Sequence, residues 1–277
     1  MKTLILAAIR CSLIFLIPSV TYAISAQWDL NPISGDWNTA DNWTPNSAPN
    51  GPADVATFGL SNTTDVSISA NTEVDSIIFT SAATNTYTIT ASSQLTLTIS
   101  GAGIINNSGI AQNFVAAPSA GPANAIRLIF KNIATAGSGT FFTMNGGATV
   151  DGSPGWTSFE DFSSADHGTF TNNGPTVLGT FGEGATILND SATASNGAFI
   201  NNGGTVSSQF GGDQGLTNFN DTSTAANGVF TNNPGTVSGA HGGNTAFGSN
   251  ATAANGTFIN NGSVISSQGT ALTPGVE

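Results

Sequence analysis

The sequence predicts an all-β chain, a right-handed parallel β-helix (β-solenoid) with repeats of about 29 residues behind a Trp-rich N-terminal cap. The first observation behind this is internal repetition. Segments 134–150, 163–177, 193–206, 224–237 and 252–265 align on a Gly before a Phe, at Gly139, Gly168, Gly197, Gly228 and Gly256, with spacings of 29, 29, 31 and 28. A second marker, at Phe130, Phe159, Leu188, Phe219 and Phe247, gives the same four spacings. Two markers in phase are not chance. The second observation is the content of one period. In the fourth unit the runs 217–220, 228–231 and 235–238 are short and apolar, and Asn, Pro and Gly separate them, so each period is expected to hold three strands and three corners. The third is composition. Only 7% of the 277 residues are charged, while Gly numbers 34 and Phe 17; the Gly and Thr content excludes a helical solenoid, and register-locked repeats favour the β-solenoid with its stacked Phe over a flat antiparallel sandwich, the alternative left open.

Taken in order, residues 1–23 read as a signal peptide. Lys2 and Arg10 form its basic region, Cys11 to Val20 its apolar core, and Thr21-Tyr22-Ala23 its cleavage site. Ten apolar residues broken by Pro18 are too few to span a bilayer. Cleavage near Ile24 leaves no cysteine in the chain, so an exported product relies on backbone ladders and stacked side chains rather than disulfides. No other run is apolar enough to span a membrane. Residues 24–57 form the cap, with Trp28, Trp37 and Trp43 inside sixteen residues. They are expected to cover the first rung, and an aromatic platform for sugars is the alternative.

Residues 58–130 are read as irregular rungs. Asp65 to Ser69, Tyr87 to Thr90 and Leu95 to Ser100 alternate strictly between apolar and hydroxyl residues, while the Ala-, Pro- and Gly-rich segment from Ala111 to Asn124 is expected to be a loop. Residues 131–265 are the regular repeats. Asn172-Asn173, Asn201-Asn202, Asn232-Asn233 and Asn260-Asn261 are placed at corners, where Asn tolerates a left-handed backbone and its amide pairs with the next rung. Residues 266–277 are a tail with no aromatic residue and one charge. Twelve such residues are too few to shield a rung, so the chain is expected either to be part of a longer passenger or to associate end to end with another copy.

The formal charge is −12, and with 1–23 removed two bases face sixteen acids, which excludes electrostatic nucleic-acid binding. Catalytic constellations are sparse. His167 and His241 fall at unrelated repeat positions and are read as solvated corner residues, without Cys partners for a metal or a triad. Glu160 and Asp161 are adjacent, so on a strand they point to opposite faces, and Asp166 falls in a loop; a glycosidase pair is not assembled. A polysaccharide lyase needs bases, and beyond the signal only Arg127 and Lys131 remain. Asp161, Asp190 and Asp221 share a repeat position and offer a column that Ca²⁺ could occupy, although the Gly211-Gly212-Asp213-Gln214-Gly215 run lacks the calcium nonapeptide spacing. The site assignment is therefore none for catalysis, cofactor and metal.

The stretch Trp28 to Trp43, the Pro49 to Phe58 run and the Ala-Asn-Gly-x-Phe-x-Asn-Asn-Gly repeats together resemble bacterial autotransporter-type passenger proteins with β-strand repeats. The resemblance covers nearly all of the chain after residue 23. It implies an exported β-helix, extracellular or displayed on the outer cell surface, and a structural or adhesin-like role without enzymatic activity. Past Gly269 the sequence departs from that family, with no membrane barrel strands, apolar anchor or basic sorting tail before Glu277. Three functions follow as expectations: a non-enzymatic surface solenoid, a β-helix that binds or cleaves surface glycans, and an ice-binding solenoid suggested by Thr86-Tyr-Thr88 and Thr96-Leu-Thr98. The last needs Thr-x-Thr repeated in register, and the five later units lack it.

Overall fold

The computed structural model describes residues 23–92, 94–121, 126–177, 182–207 and 213–263. The expected signal peptide, up to residue 22, and the expected tail 266–277 lie outside the described residues. Short runs of β-branched and aromatic residues, bounded by Gly, Asn and Asp, form strands too brief to stand alone, so they are stable only when stacked. They stack in two sheets. One holds ten strands in the order Trp43–Thr44, Ser25–Trp28, Gly51–Phe58, Thr72–Phe79, Thr96–Asn106, Ile126–Phe130, Gly155–Phe159, Ala185–Leu188, Leu216–Phe219 and Asn244–Phe247. The other holds eight: Asp65–Ser67, Thr88–Ala91, Gln112–Ala116, Ser138–Met144, His167–Asn172, Ala198–Asn201, Val229–Asn232 and Thr257–Asn260. The chain alternates between the sheets, so each strand inside a sheet beyond the first few residues pairs in parallel with the one a turn earlier and the one a turn later, and the strands at the sheet edges pair on one side. This is a β-solenoid of about eight turns. The only described helix is the 3₁₀ turn Ala40–Asn42.

Register follows the repeat markers. Phe142, Phe170, Phe199, Phe230 and Phe258 are successive partners in the eight-stranded sheet, and Phe130, Phe159, Leu188, Phe219 and Phe247 are successive partners in the other. Within the first column the rings stack with centroids 4.7–5.0 Å apart, the separation of adjacent strands. Across columns they meet edge-on, as Phe219 does Phe230 at 5.5 Å and 74°. A ring such as Phe170 or Phe230 thus has stacked and T-shaped contacts, both favoured by its quadrupole, while Phe199, whose rung carries Leu188 in the other column, has stacked contacts.

Three sequence expectations need correction. The third run of each period is not a strand: 236–239 is bends and turns, because Pro234 and Gly235 remove an N–H and a side chain just where pairing would begin. The third side is instead a ladder one residue wide, in which Gly103, Thr135, Ser164, Thr193, Thr224 and Thr252 form successive parallel bridges. The expected loop from Ala111 to Asn124 contains the strand Gln112–Ala116, whose Gln112, Phe114 and Ala116 are buried in alternation. Its inward Phe114 stacks on Phe142 at 5.0 Å, a cue outweighed by the Pro and Gly that follow. Finally, the left-handed corners are held not by the Asn pairs but by Asp161, Asp190, Asp221 and Ser249, and by Asp166, Ser195, Ala226 and Ala254.

Candidate functional site

The Trp cluster is the first feature to settle. Trp28, Trp37 and Trp43 are fully buried, all three rings lie within 5.5–6.0 Å of Phe58, and their indole N–H groups donate to the carbonyls of Thr63, Pro49 and Trp37. A buried ring with a satisfied N–H has no face for a sugar, so the aromatic-platform alternative is overturned and the cluster is a lid on the first Phe.

The Asp column is also committed elsewhere. The Asn132 amide donates to Asp161 Oδ2 (2.9 Å), that of Asp161 to Asp190 Oδ2 (2.9 Å), and that of Asp190 to Asp221 Oδ2 (3.1 Å). Each carboxylate reaches back one rung to hold the backbone of a left-handed corner. Each of these charge-assisted bonds uses one oxygen, Oδ2, of its carboxylate. Among the described residues no group of three His, Cys, Asp or Glu is gathered to hold a metal ion. Glu160 and Asp161 lie in the corner after Gly155–Phe159 rather than on a strand, so the alternation argument for them fails. Glu160 pairs instead with Lys131 (3.3 Å) at the surface.

The histidines remain apart in the repeat. His167 opens the strand His167–Asn172, exposed, with Nδ1 2.7 Å from Asp166 Oδ1. His241 is a corner residue with a structural role: its Nδ1 lies 2.6 Å from Oδ1 of Asp213, which is wholly buried, and its own amide donates to Asp213 Oδ2. Arg127 lies on Ile126–Phe130.

What the sequence did not anticipate is a groove of about 520 Å³ parallel to the stacking direction. It arises from the four-residue runs 145–148, 173–176, 202–205 and 233–236, each an Asn, two residues drawn from Gly and Pro, and a Thr or Ala, which follow four successive strands of the eight-stranded sheet. The first Asn of each pair turns inward, and the second turns outward. The outer amides form a ladder in which Asn173 Nδ2 donates to Asn145 Oδ1 (3.1 Å), Asn202 to Asn173 (2.8 Å) and Asn233 to Asn202 (2.8 Å). Three residues beyond each Asn stands Ala148, Thr176, Thr205 or Thr236, all exposed, forming the second line of the lining. Between the lines the chains approach backbone to backbone: a Cβ on Gly146 would strike Gly174 and Pro175 of the next rung, and one on Gly203 would strike Pro234. No residue of the lining is ionisable. The signal for this groove was present in the in-phase Thr176, Thr205 and Thr236, but a Thr three residues past a corner has no distinctive chemistry by itself.

Comparison with protein-family models, with curated proteins and with solved structures gives no match for this chain. The solenoid is established by its own register.

Proposed function

We propose that this chain is a non-enzymatic, exported β-solenoid of the autotransporter-passenger type, acting as a rigid structural or adhesin-like segment at the outer cell surface. One observation carries the non-enzymatic part: the corner groove is lined by Asn, Gly, Thr, Pro and Ala, none of which titrates near neutrality, so it offers no general acid or base. Asp161, Asp190 and Asp221 cap backbone amides, and Glu160 pairs with Lys131. The export part rests on residues 1–23, and the rigidity on rungs tied by backbone, amide and ring ladders at once.

The test has two arms. Expressed as the full chain in a Gram-negative host, the protein should be recovered outside the cytoplasm with its N-terminus near Ile24; retention of residues 1–23 in a cytoplasmic product would refute export. Incubated with polysaccharides, the recovered protein should release reducing ends and unsaturated uronates at the background rate. A glycan-binding reading is favoured by the same groove.

A further inference from the structure

Resting on that non-enzymatic reading, we infer that the corner groove is a binding site for an extended, uncharged polysaccharide. The first reason is shape. The lining repeats in register across four rungs, from Asn145 to Asn233, so it offers one set of contacts about every 4.8 Å and suits a linear, periodic ligand. The second is donor and acceptor supply. A side-chain amide has two N–H groups and two oxygen lone pairs, and the ladder uses one of each at the central Asn173 and Asn202. These half-buried amides therefore retain a donor and an acceptor apiece. On the facing line, Thr205 donates its hydroxyl to the Pro175 carbonyl (3.2 Å) and Thr236 to the Gly204 carbonyl (3.1 Å). Their lone pairs are left to accept from hydroxyl groups.

Two competing ligand classes are disfavoured by the same residues. An anionic polymer would enter a lining without a single cation, on a chain of formal charge −12. A peptide adding as a strand would need unpaired backbone, yet here the amide of Thr176 is bonded to Gly147 O (3.0 Å) and that of Thr236 to Gly204 O (2.9 Å). What remains is a ligand rich in hydroxyls and free of charge, read by side chains alone.

The test is affinity electrophoresis of the purified exported chain through gels containing galactomannan, dextran or polygalacturonate. Retardation by at least one of the two neutral polymers and none by polygalacturonate is expected. The double variant Thr176→Leu/Thr205→Leu, which removes two groove hydroxyls and adds bulk, should weaken that retardation at least tenfold. Thr222→Leu, an exposed hydroxyl at another corner, should leave it unchanged. Unaltered thermal unfolding of each variant shows that the fold is retained. No retardation by either neutral polymer, retardation by polygalacturonate alone, or retardation indifferent to the double variant would overturn the inference. Shortening of a polymer is read separately by reducing ends and would overturn the non-enzymatic reading instead.

Discussion

Tyr87 is the residue whose chemistry the fold changes most. Its ring is fully buried between Phe58 and Phe79, and its hydroxyl donates to the Gly59 carbonyl (2.7 Å). Burial pushes its pKa from 10.0 up to about 12, against a smaller opposing effect of a hydrogen bond with Ser61. The unfolded chain then releases the phenolic proton before the folded one does, so this group's contribution is complete below pH 10 and is lost as pH climbs towards 12. Chemical denaturation of parent and Tyr87→Phe across that window should show a shallower alkaline loss in the variant; parallel curves would contradict the assignment. A second residue is strained rather than desolvated. Ala226 sits at φ 46°, where an L side chain costs about 1–2 kcal/mol. Glycine relieves this but adds freedom to the unfolded chain, so Ala226→Gly should stabilise by a net of about 0.5–1 kcal/mol in urea unfolding. A destabilised variant would mean that the Cβ makes contacts outweighing the strain.

The rung is the next scale, and it is held by two inward columns with different chemistry. Removing a ring from the Phe stack, as in Phe199→Ala or Phe230→Ala, should cost about 3–5 kcal/mol, because both neighbouring rungs are fixed by ladders and cannot close the cavity. Denaturant midpoints equal to the parent would refute the stacked core. The inner Asn column is a polar network with no loose end. Asn172 Nδ2 donates to Asn201 Oδ1 (2.8 Å) and Thr217 Oγ1 (3.1 Å), and Asn201 Nδ2 does the same to Asn232 (2.8 Å) and Thr245 (3.1 Å). Thr186 and Thr217 return hydroxyl bonds to Asn172 and Asn201. Asn201→Ala should therefore cost at least about 1–3 kcal/mol, the penalty of stranding buried partners, while Asn260→Ala, exposed at the end of the same column, should stay within about 0.5 kcal/mol. Equal effects at the two positions would show that the network is not what burial makes it.

At the scale of the whole molecule, the period was legible in the sequence because a solenoid repeats its core chemistry once per turn: Phe170, Phe199 and Phe230 had to recur in phase if they were to stack. The inter-rung pairing of Asn amides was legible for the same reason. The third side was not, since a ladder one residue wide at Thr193 and Thr224 leaves no run of alternation to detect. Nor was the groove, whose Asn and Thr are ordinary corner residues until the register sets them in line. The capping role of the Asp column was not legible either, because an in-phase spacing alone does not say that each Oδ2 holds the corner one rung back. Since each rung touches only its neighbours, stability should vary along the axis. Phe219 and Phe230 are fully buried, whereas Phe247 and Phe258 in the last described rung are 38% and 37% exposed. Their strands, Asn244–Phe247 and Thr257–Asn260, lie at the sheet edges, with one paired neighbour each among the described residues. The opposite end has its first Phe under three tryptophans. Hydrogen exchange should therefore be slow from Gly51–Phe58 through Val229–Asn232 and fastest in the last rung, opening from one end only. Uniform protection along the axis, or fraying that starts beneath the Trp cluster, would contradict a stack in which, among the described residues, the last rung is the more exposed end.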